Sequence, residues 1–394
     1  MPLALFALMI GAFAIGTTEF VIVGLIPTIA QDLAITLPSA GLLVSLYALS
    51  VAISAPLLTA LTTHWKRRHV LLFLMGIFII GNGLAWQATH FSTLILARIV
   101  TGLAHGVFFS IGSTIATQLV SKEKAASAIA MMFTGLTVAL VTGVPLGAFI
   151  GQHFGWQMTF FAVMLLGMLA FIGAFLFVPK NLPQPQAISL SQQLAVIKSP
   201  RLLLGYAMTA LGYGGTFVLF TFLSPMLQEL SGFSENTVSL ILVGYGIAVA
   251  LGNTLGGKLA DRLGTIRSLK YIFTAQMLVL ASFYFTAHSP WAMLISTFLL
   301  GLTSFANIPP LQLLVVEQAK QDAPQSVDVA SGLNIAAFNL GITMGAAIGG
   351  QVVAQLGLLH TAWIGAAILA MTLGLVVVFN RTQQRNDNLQ VQCC

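Results

Sequence analysis

Twelve runs of mostly apolar residues fill this chain, each long enough to cross the hydrocarbon core of a bilayer as a helix, which takes roughly 20 residues. Cut at charges, Pro/Gly pairs and polar clusters, the runs are 3–29, 39–62, 69–89, 93–119, 126–150, 158–178, 202–225, 237–257, 269–287, 291–316, 327–353 and 361–380. A water-soluble globule is excluded, because only 7% of the 394 residues are charged and too little polar surface is left to cover one. Disordered chains and soluble enzymes are excluded with it. The first run has no basic residue before it and continues to about Ile29. That is too long for the core of a cleaved leader, so it is expected to stay as the first membrane helix.

The positive charges sort to one side. Fifteen of the sixteen Lys and Arg residues fall in alternate loops or in the tail. Lys66, Arg67 and Arg68 follow the second run, Lys122 and Lys124 the fourth, and Lys258, Arg262, Arg267 and Lys270 surround the loop after the eighth. The opposite loops carry Asp32, Glu229 and Glu235 but no Lys or Arg. By the positive-inside rule both termini are expected in the cytoplasm. The formal net charge of +6 is thus a topology signal, and no nucleic-acid partner is expected. The longest connection, rich in Pro and Gln (Pro183, Pro185, Gln192, Gln193), divides the chain. The expected organisation is a six-helix half at 1–180, a linker at 181–200, a second six-helix half at 201–380 and a tail at 381–394.

The halves repeat one another at an offset of 198 residues. Gly143-x-x-x-Gly147-Ala148-x-Ile150-Gly151 recurs as Gly341-x-x-x-Gly345-Ala346-x-Ile348-Gly349. Pro27 and Pro225, each read as ending its run, stand at the same spacing, as do Leu61 and Leu259. Six spans per half is an even number, so the halves face the same way. The architecture expected is an all-α membrane protein of two six-helix halves related by a parallel pseudo-two-fold, with a binding site between them near mid-membrane.

Several motifs carry a family resemblance. Gly257-Lys258-Leu259-Ala260-Asp261-Arg262-Leu263-Gly264 matches a G-x-L-A-D-R-x-G signature. Its first-half counterpart, Thr59 to Arg68, keeps the basic Arg67 and Arg68 but has Thr63 in place of Asp. Arg98-x-x-x-Gly102, Gly143-Val144-Pro145-Leu146-Gly147, Thr17-Thr18-Glu19-Phe20 and Gly155-Trp156-Gln157-Met158-Thr159-Phe160-Phe161 add to it. Across nearly its whole length the chain resembles the major facilitator superfamily, in the branch of drug:proton antiporters that holds chloramphenicol, sugar and purine-nucleoside exporters. The resemblance implies alternating access, a cavity lined by spans one and four, a cytoplasmic gate at Asp261 and Arg262, and a rocking contact made by the glycines of spans five and eleven across the halves. It also implies a monomer in the bacterial inner membrane.

Two charges fall well inside the spans. Charged groups at bilayer depth are costly and mark ion or substrate paths. Glu19 is placed about 15 Å below the outer face and Arg98 about 8 Å below it, by helical rise, so their side chains are expected to bridge. Offset 198 turns Glu19 into Phe217 and Arg98 into Ser296, so proton work is expected in the first half alone. Glu19 is the expected proton carrier, Arg98 its partner, and His105, one heptad along span four, a possible relay set against a plain interhelical hydrogen bond. A cargo pocket is expected to combine apolar walls with few polar groups. Its candidates are Phe20, Tyr47, Phe108, Phe133, Tyr245, Asn307 and Asn339, although packing is the commoner role for each aromatic. Pro309-Pro310 must distort span ten beside Asn307. No metal ligands, catalytic nucleophile or phosphate-binding loop is spelled out, so neither cofactor nor enzyme is expected, and protons are the coupling ion. The two cysteines, Cys393 and Cys394, are adjacent and read as incidental.

The expected function is proton-coupled export of small drug-like or mixed-polarity molecules. Export of sugars or nucleosides, or import by symport, is the alternative on the same fold.

Overall fold

The computed structural model describes residues 3–62, 65–121, 125–182 and 196–392. Thr63, Lys122, Lys124, most of the central linker, Cys393 and Cys394 lie outside them. Among the described residues, twelve helices are long and apolar enough to cross a membrane: Leu3–Asp32, Leu37–Ala55, Arg67–Trp86, Phe91–Gln118, Met131–Phe154, Trp156–Phe177, Pro200–Glu229, Glu235–Leu263, Thr265–Thr286, Pro290–Asp322, Val329–Gln355 and His360–Asn380. They are numbered here as spans one to twelve. Alternation puts both chain ends at one end of the bundle, called the terminal end below.

Local chemistry sets the breaks. Thr36, Ser199 and Ser234 accept a backbone N–H three residues on and cap spans two, seven and eight. Gly155 and Gly264 turn the chain at φ of 87° and 79°, which only glycine adopts freely; Gly264 is the last residue of the signature motif. The Trp156 indole donates to Asp32 Oδ2 at 2.8 Å, tying the start of span six to the end of span one.

Five spans are interrupted or run on. Pro27 lies inside the helix of span one, which continues to Asp32. Span seven breaks at Thr221–Phe222 and resumes as Leu223–Glu229. Pro225 therefore sits in a first turn, where its missing N–H costs nothing, and neither proline ends its span as the sequence suggested. Span ten breaks between Ser304 and Ile308, as Pro309-Pro310 required. Span five contains a π-helical turn, Ala139–Gly143, immediately before Val144–Phe154 with Pro145 in its first turn. The longer turn accommodates the proline that an unbroken α-helix would reject. The last helix runs through the tail to Gln392.

The repeat is visible contact by contact. Span one packs on five and six as seven packs on eleven and twelve; span two packs on four as eight packs on ten. A methyl group built on Gly102 would lie 2.6 Å from the Tyr47 carbonyl oxygen, and one on Gly301 2.6 Å from that of Tyr245. Tyr47 and Tyr245 are 198 residues apart. Across the halves, span two packs on eleven and span five on eight.

That pairing corrects the expected rocking contact. Gly143 and Gly147 face Thr17 and Val21 of span one, while Gly341 and Gly345 face Ala210 and Gly214 of span seven. These glycines are the small-residue seams inside each half, where backbones approach most closely. The cross-half seams use other residues, one of them also in span eleven: Gly246 against Leu140 and Val141, Gly350 of span eleven against Pro38, and Gly41 against the Phe222 ring.

The halves meet away from the terminal end. Ser239 donates to Gln152 Oε1 at 2.7 Å, and Thr343 Oγ1 to the Ser45 carbonyl at 3.3 Å. Span eight packs along Ala139–Phe154 of span five, while the Ala125–Val138 stretch falls away from it. Among the described residues, the span five–eight seam is closed at the end opposite the termini and parts toward the terminal end.

Replacing Gly345 by Leu should force the span seven–eleven seam apart and cost about 1–3 kcal/mol. A drop of several degrees in the melting temperature of the detergent-purified protein is the expected reading. Gly374→Leu, where no atom lies within 4 Å of the added carbon, should leave it unchanged.

Candidate functional site

Four side chains from three spans converge inside the first half: Glu19, Tyr47, Arg98 and His105. Relative exposures are 9%, 1%, 1% and 5%. A charge this deep needs compensation, and Arg98 finds it in backbone dipoles. Its Nε donates to the Leu43 carbonyl at 3.2 Å, one terminal nitrogen to the Thr18 carbonyl at 2.6 Å, and the other to the Glu19 carbonyl at 3.5 Å. The guanidinium carbon lies 4.0 Å from the centroid of the Tyr47 ring, a cation–π contact. Arg98 thereby clamps spans one, two and four together.

The expected Glu19–Arg98 side-chain bridge is not made. Helical side chains lean toward their own N-terminus and carbonyls point the other way. Spans one and four run antiparallel, so the Glu19 carboxylate leans toward the terminal end and Arg98 away from it. Arg98 consequently meets the carbonyls of span one, and the carboxylate meets His105. Glu19 Oε2 lies 3.9 Å from His105 Nδ1, and the same nitrogen is 3.0 Å from the Tyr47 hydroxyl. His105 also packs its ring edge-on against Phe109 at 5.2 Å. Beside the site, Thr18 donates to Asn82 Oδ1 at 2.9 Å, joining spans one and three.

The expected pocket residues divide. Phe20 reaches across the halves to Phe305 at 6.0 Å, and Tyr245 stacks on Phe220 at 4.9 Å. Tyr213 joins Phe217, Phe305 and Phe338. This aromatic layer belongs to spans one, seven, eight, ten and eleven and lies at the level where the halves close. Composition gave Phe20 and Tyr245 but missed the rest, which are ordinary apolar residues until the fold gathers them. Phe108 is a packing residue in the space left by Gly11, and Phe133 stacks on Phe109 within the first half. Tyr47 belongs to the polar cluster.

Asn307 is fully buried and donates to Gln276 Oε1 at 3.1 Å; Gln276 in turn bonds Thr216. The link is similar in kind to Thr18–Asn82, and Thr216 is Thr18 plus 198, but the amide partners Asn82 and Gln276 stand 194 apart, so only the threonine follows the repeat. Asn339 donates to the Ile335 carbonyl at 3.0 Å and leaves its Oδ1 without a partner. Asn334 bonds Thr209 and Gln312, a cross-helix link.

The motif cations behave differently from one another. Arg68 is buried, donates to the Phe175 carbonyl and lies 5.3 Å from that ring's centroid, fixing span three to span six inside one half. Asp261 and Arg262 are exposed at the terminal end of span eight, and neither forms an ion pair among the described residues. Gly257 stands nearby against Pro309. Arg67 is half-buried at the start of span three. No group of three or more metal-ligating side chains occurs among the described residues.

Comparison with known proteins agrees with this architecture. The chain is 50% identical over 386 residues to the "Uncharacterized MFS-type transporter YtbD" of Bacillus subtilis, covering 98% of this chain and 96% of that one. It is 33% identical to a chloramphenicol resistance protein of Streptomyces lividans, covering 95% of each. It is 30% identical to the "Probable sugar efflux transporter" of Helicobacter acinonychis, covering 95% of this chain and 93% of that one. The crystal structure of a bacterial homolog of the human lysosomal transporter Spinster superposes with a TM-score of 0.70 at 15% identity, over 95% of this chain and 94% of that one. The family model of the Major Facilitator Superfamily matches residues 8–327, and with twelve spans in two repeated halves the chain is a multi-pass membrane transporter of that superfamily.

Proposed function

We propose that this transporter is a proton-coupled exporter of small, mixed-polarity molecules in the bacterial inner membrane. The observation that carries the reading is Glu19. It is the carboxylate held at membrane depth, and it sits where the halves close, beside a histidine. A carboxylic acid there is neutral when protonated and charged when not, so its protonation alters the cost of exposing or closing the site. The bundle parts toward the end that carries the termini and the loop cations. With that end in the cytoplasm, cargo enters from inside, and a proton arriving at Glu19 from outside displaces it outward.

The aromatic layer from Phe20 to Phe338 offers the apolar walls of a cargo site. Asn339, with a free amide oxygen, offers a polar contact. Relatives named for chloramphenicol resistance and for sugar efflux fit an export direction. The sugar-efflux relative favours a second reading, a hydroxyl-rich cargo held by the second-half amides. In either case the halves work as one monomer and protons are the coupling ion, with no bound cofactor.

Glu19→Gln should lower pH-gradient-driven cargo uptake into everted vesicles by tenfold or more while leaving cargo binding without a gradient nearly intact. Undiminished uptake would remove Glu19 as the carrier. Screening chloramphenicol-like drugs, sugars and nucleosides in an exporter-deficient bacterium separates the two cargo readings.

Arg98→Lys tests the clamp. An ammonium cannot span the three carbonyls that the guanidinium fork reaches, and the lost interhelical bonds should cost about 2 kcal/mol. A lower melting temperature of the purified protein, at every pH tried, is the expected result.

A further inference from the structure

One nitrogen has two claimants. His105 Nδ1 lies 3.0 Å from the Tyr47 hydroxyl and 3.9 Å from Glu19 Oε2. A neutral imidazole nitrogen either accepts or donates a single hydrogen bond in the ring plane, so Nδ1 serves one of these groups fully at a time. In the observed geometry the hydroxyl holds it. We propose that Tyr47 is a positioning residue for the proton step: it occupies His105 Nδ1 until Glu19 releases its proton, and so ties the protonation of span one to span two. This rests on Glu19 as the proton carrier and goes beyond it by assigning Tyr47 a role that neither a cargo wall nor a packing residue would have.

The step balances. The Glu19 O–H bond breaks, and its proton goes to the Nδ1 lone pair as the Tyr47 O–H···Nδ1 contact gives way. The doubly protonated ring then loses its Nε2 proton to water on the terminal-end side. A neutral imidazole remains with its hydrogen on Nδ1, donating to the Glu19 carboxylate. His105 lies on the terminal-end side of Arg98, so the relay runs in the direction in which the bundle parts.

The surroundings suit a positioning role. Tyr47 has little freedom: Arg98 lies over its ring, and Gly102 of span four rests on its own carbonyl. The titratable and charged groups around His105 are Glu19 from span one, Tyr47 from span two and Arg98 from its own span. Tyr213 of span seven and Tyr245 of span eight stand beyond, in the aromatic layer. Arg98 is committed to backbone carbonyls. That leaves the hydroxyl and the carboxylate to compete for Nδ1. Span two is also the first-half helix that packs on span eleven, with Ser45 accepting from Thr343 two residues before Tyr47. Release of the hydroxyl therefore acts on the helix that holds the two halves together.

Infrared difference spectroscopy on the full chain in proteoliposomes tests this through the carboxyl band that disappears in Glu19→Gln. Tyr47→Phe keeps the ring under Arg98 and removes only the competitor. The pH profile of the band should then move to lower pH by about one unit, a tenfold change. His105→Leu, which removes the receiving nitrogen, should move it to higher pH. In a His105→Leu background, Tyr47→Phe should add nothing. An unmoved profile in Tyr47→Phe, or an equal movement with and without His105, overturns the proposal. If instead Glu19→Gln exports normally under a pH gradient, the carrier reading fails while the band shifts still report whether Tyr47 and Glu19 compete.

Discussion

A guanidinium at membrane depth without a carboxylate in bonding reach has to be neutralised by dipoles, and the way Arg98 achieves this organises the first half. The carbonyls of Leu43, Thr18 and Glu19 each already serve a helix, and each has a second lone pair to offer. Bringing three of them to one fork fixes the relative height of spans one, two and four. Once those heights are set, Glu19 has to lean toward His105, and the Tyr47 ring has to lie under the cation. The polar cluster is thus a consequence of the clamp. In the second half the corresponding Ser296 bonds to Thr286 in the neighbouring span, so no equivalent clamp joins spans seven, eight and ten.

The sequence was most informative where the bilayer leaves no choice. The twelve spans follow from hydrocarbon thickness and backbone satisfaction, the 198-residue repeat from the sequence matching itself, and both are present in the described fold. Glu19, Arg98 and His105 were legible for the same reason, since ionisable side chains inside apolar runs are rare. What was not legible was direction. Spacing along a helix gives height but not the lean of a side chain or the sense of a carbonyl. The expected Glu19–Arg98 bridge therefore became an Arg98–carbonyl clamp beside a Glu19–His105 contact. The two prolines misled similarly: at Pro27 and Pro225 the helix continues or restarts, because neighbouring spans and first-turn geometry absorb the missing donor.

Helix partners were equally hidden. A stripe of small residues predicts close approach to something, and the resemblance supplied the wrong neighbour. Gly143, Gly147, Gly341 and Gly345 lie on their own halves, while the seams between halves rely on Gly246, Gly41 and span eleven's own Gly350, set against backbone or rings. The aromatic layer shows the same gap. Phe305 and Phe338 are unremarkable in an apolar sequence, and only tertiary structure brings them to Tyr213 and Phe20. Of Thr18–Asn82 and Thr216–Gln276 the repeat relates only the threonines, because the amide partners stand 194 residues apart.

The π-helical turn in span five stands at a boundary. On one side of it, Ala139–Phe154 lies along span eight; on the other, Ala125–Val138 departs from it. A straight rod joining those regions could part the halves only by carrying its closed end with it. With an extra residue already inserted and Pro145 forgoing one backbone bond, span five can bend at Ala139–Gly143 while its far segment stays docked. The terminal-end segment is then a lever pivoting on a fulcrum within the helix, so the two ends of the transport path can move by unequal amounts.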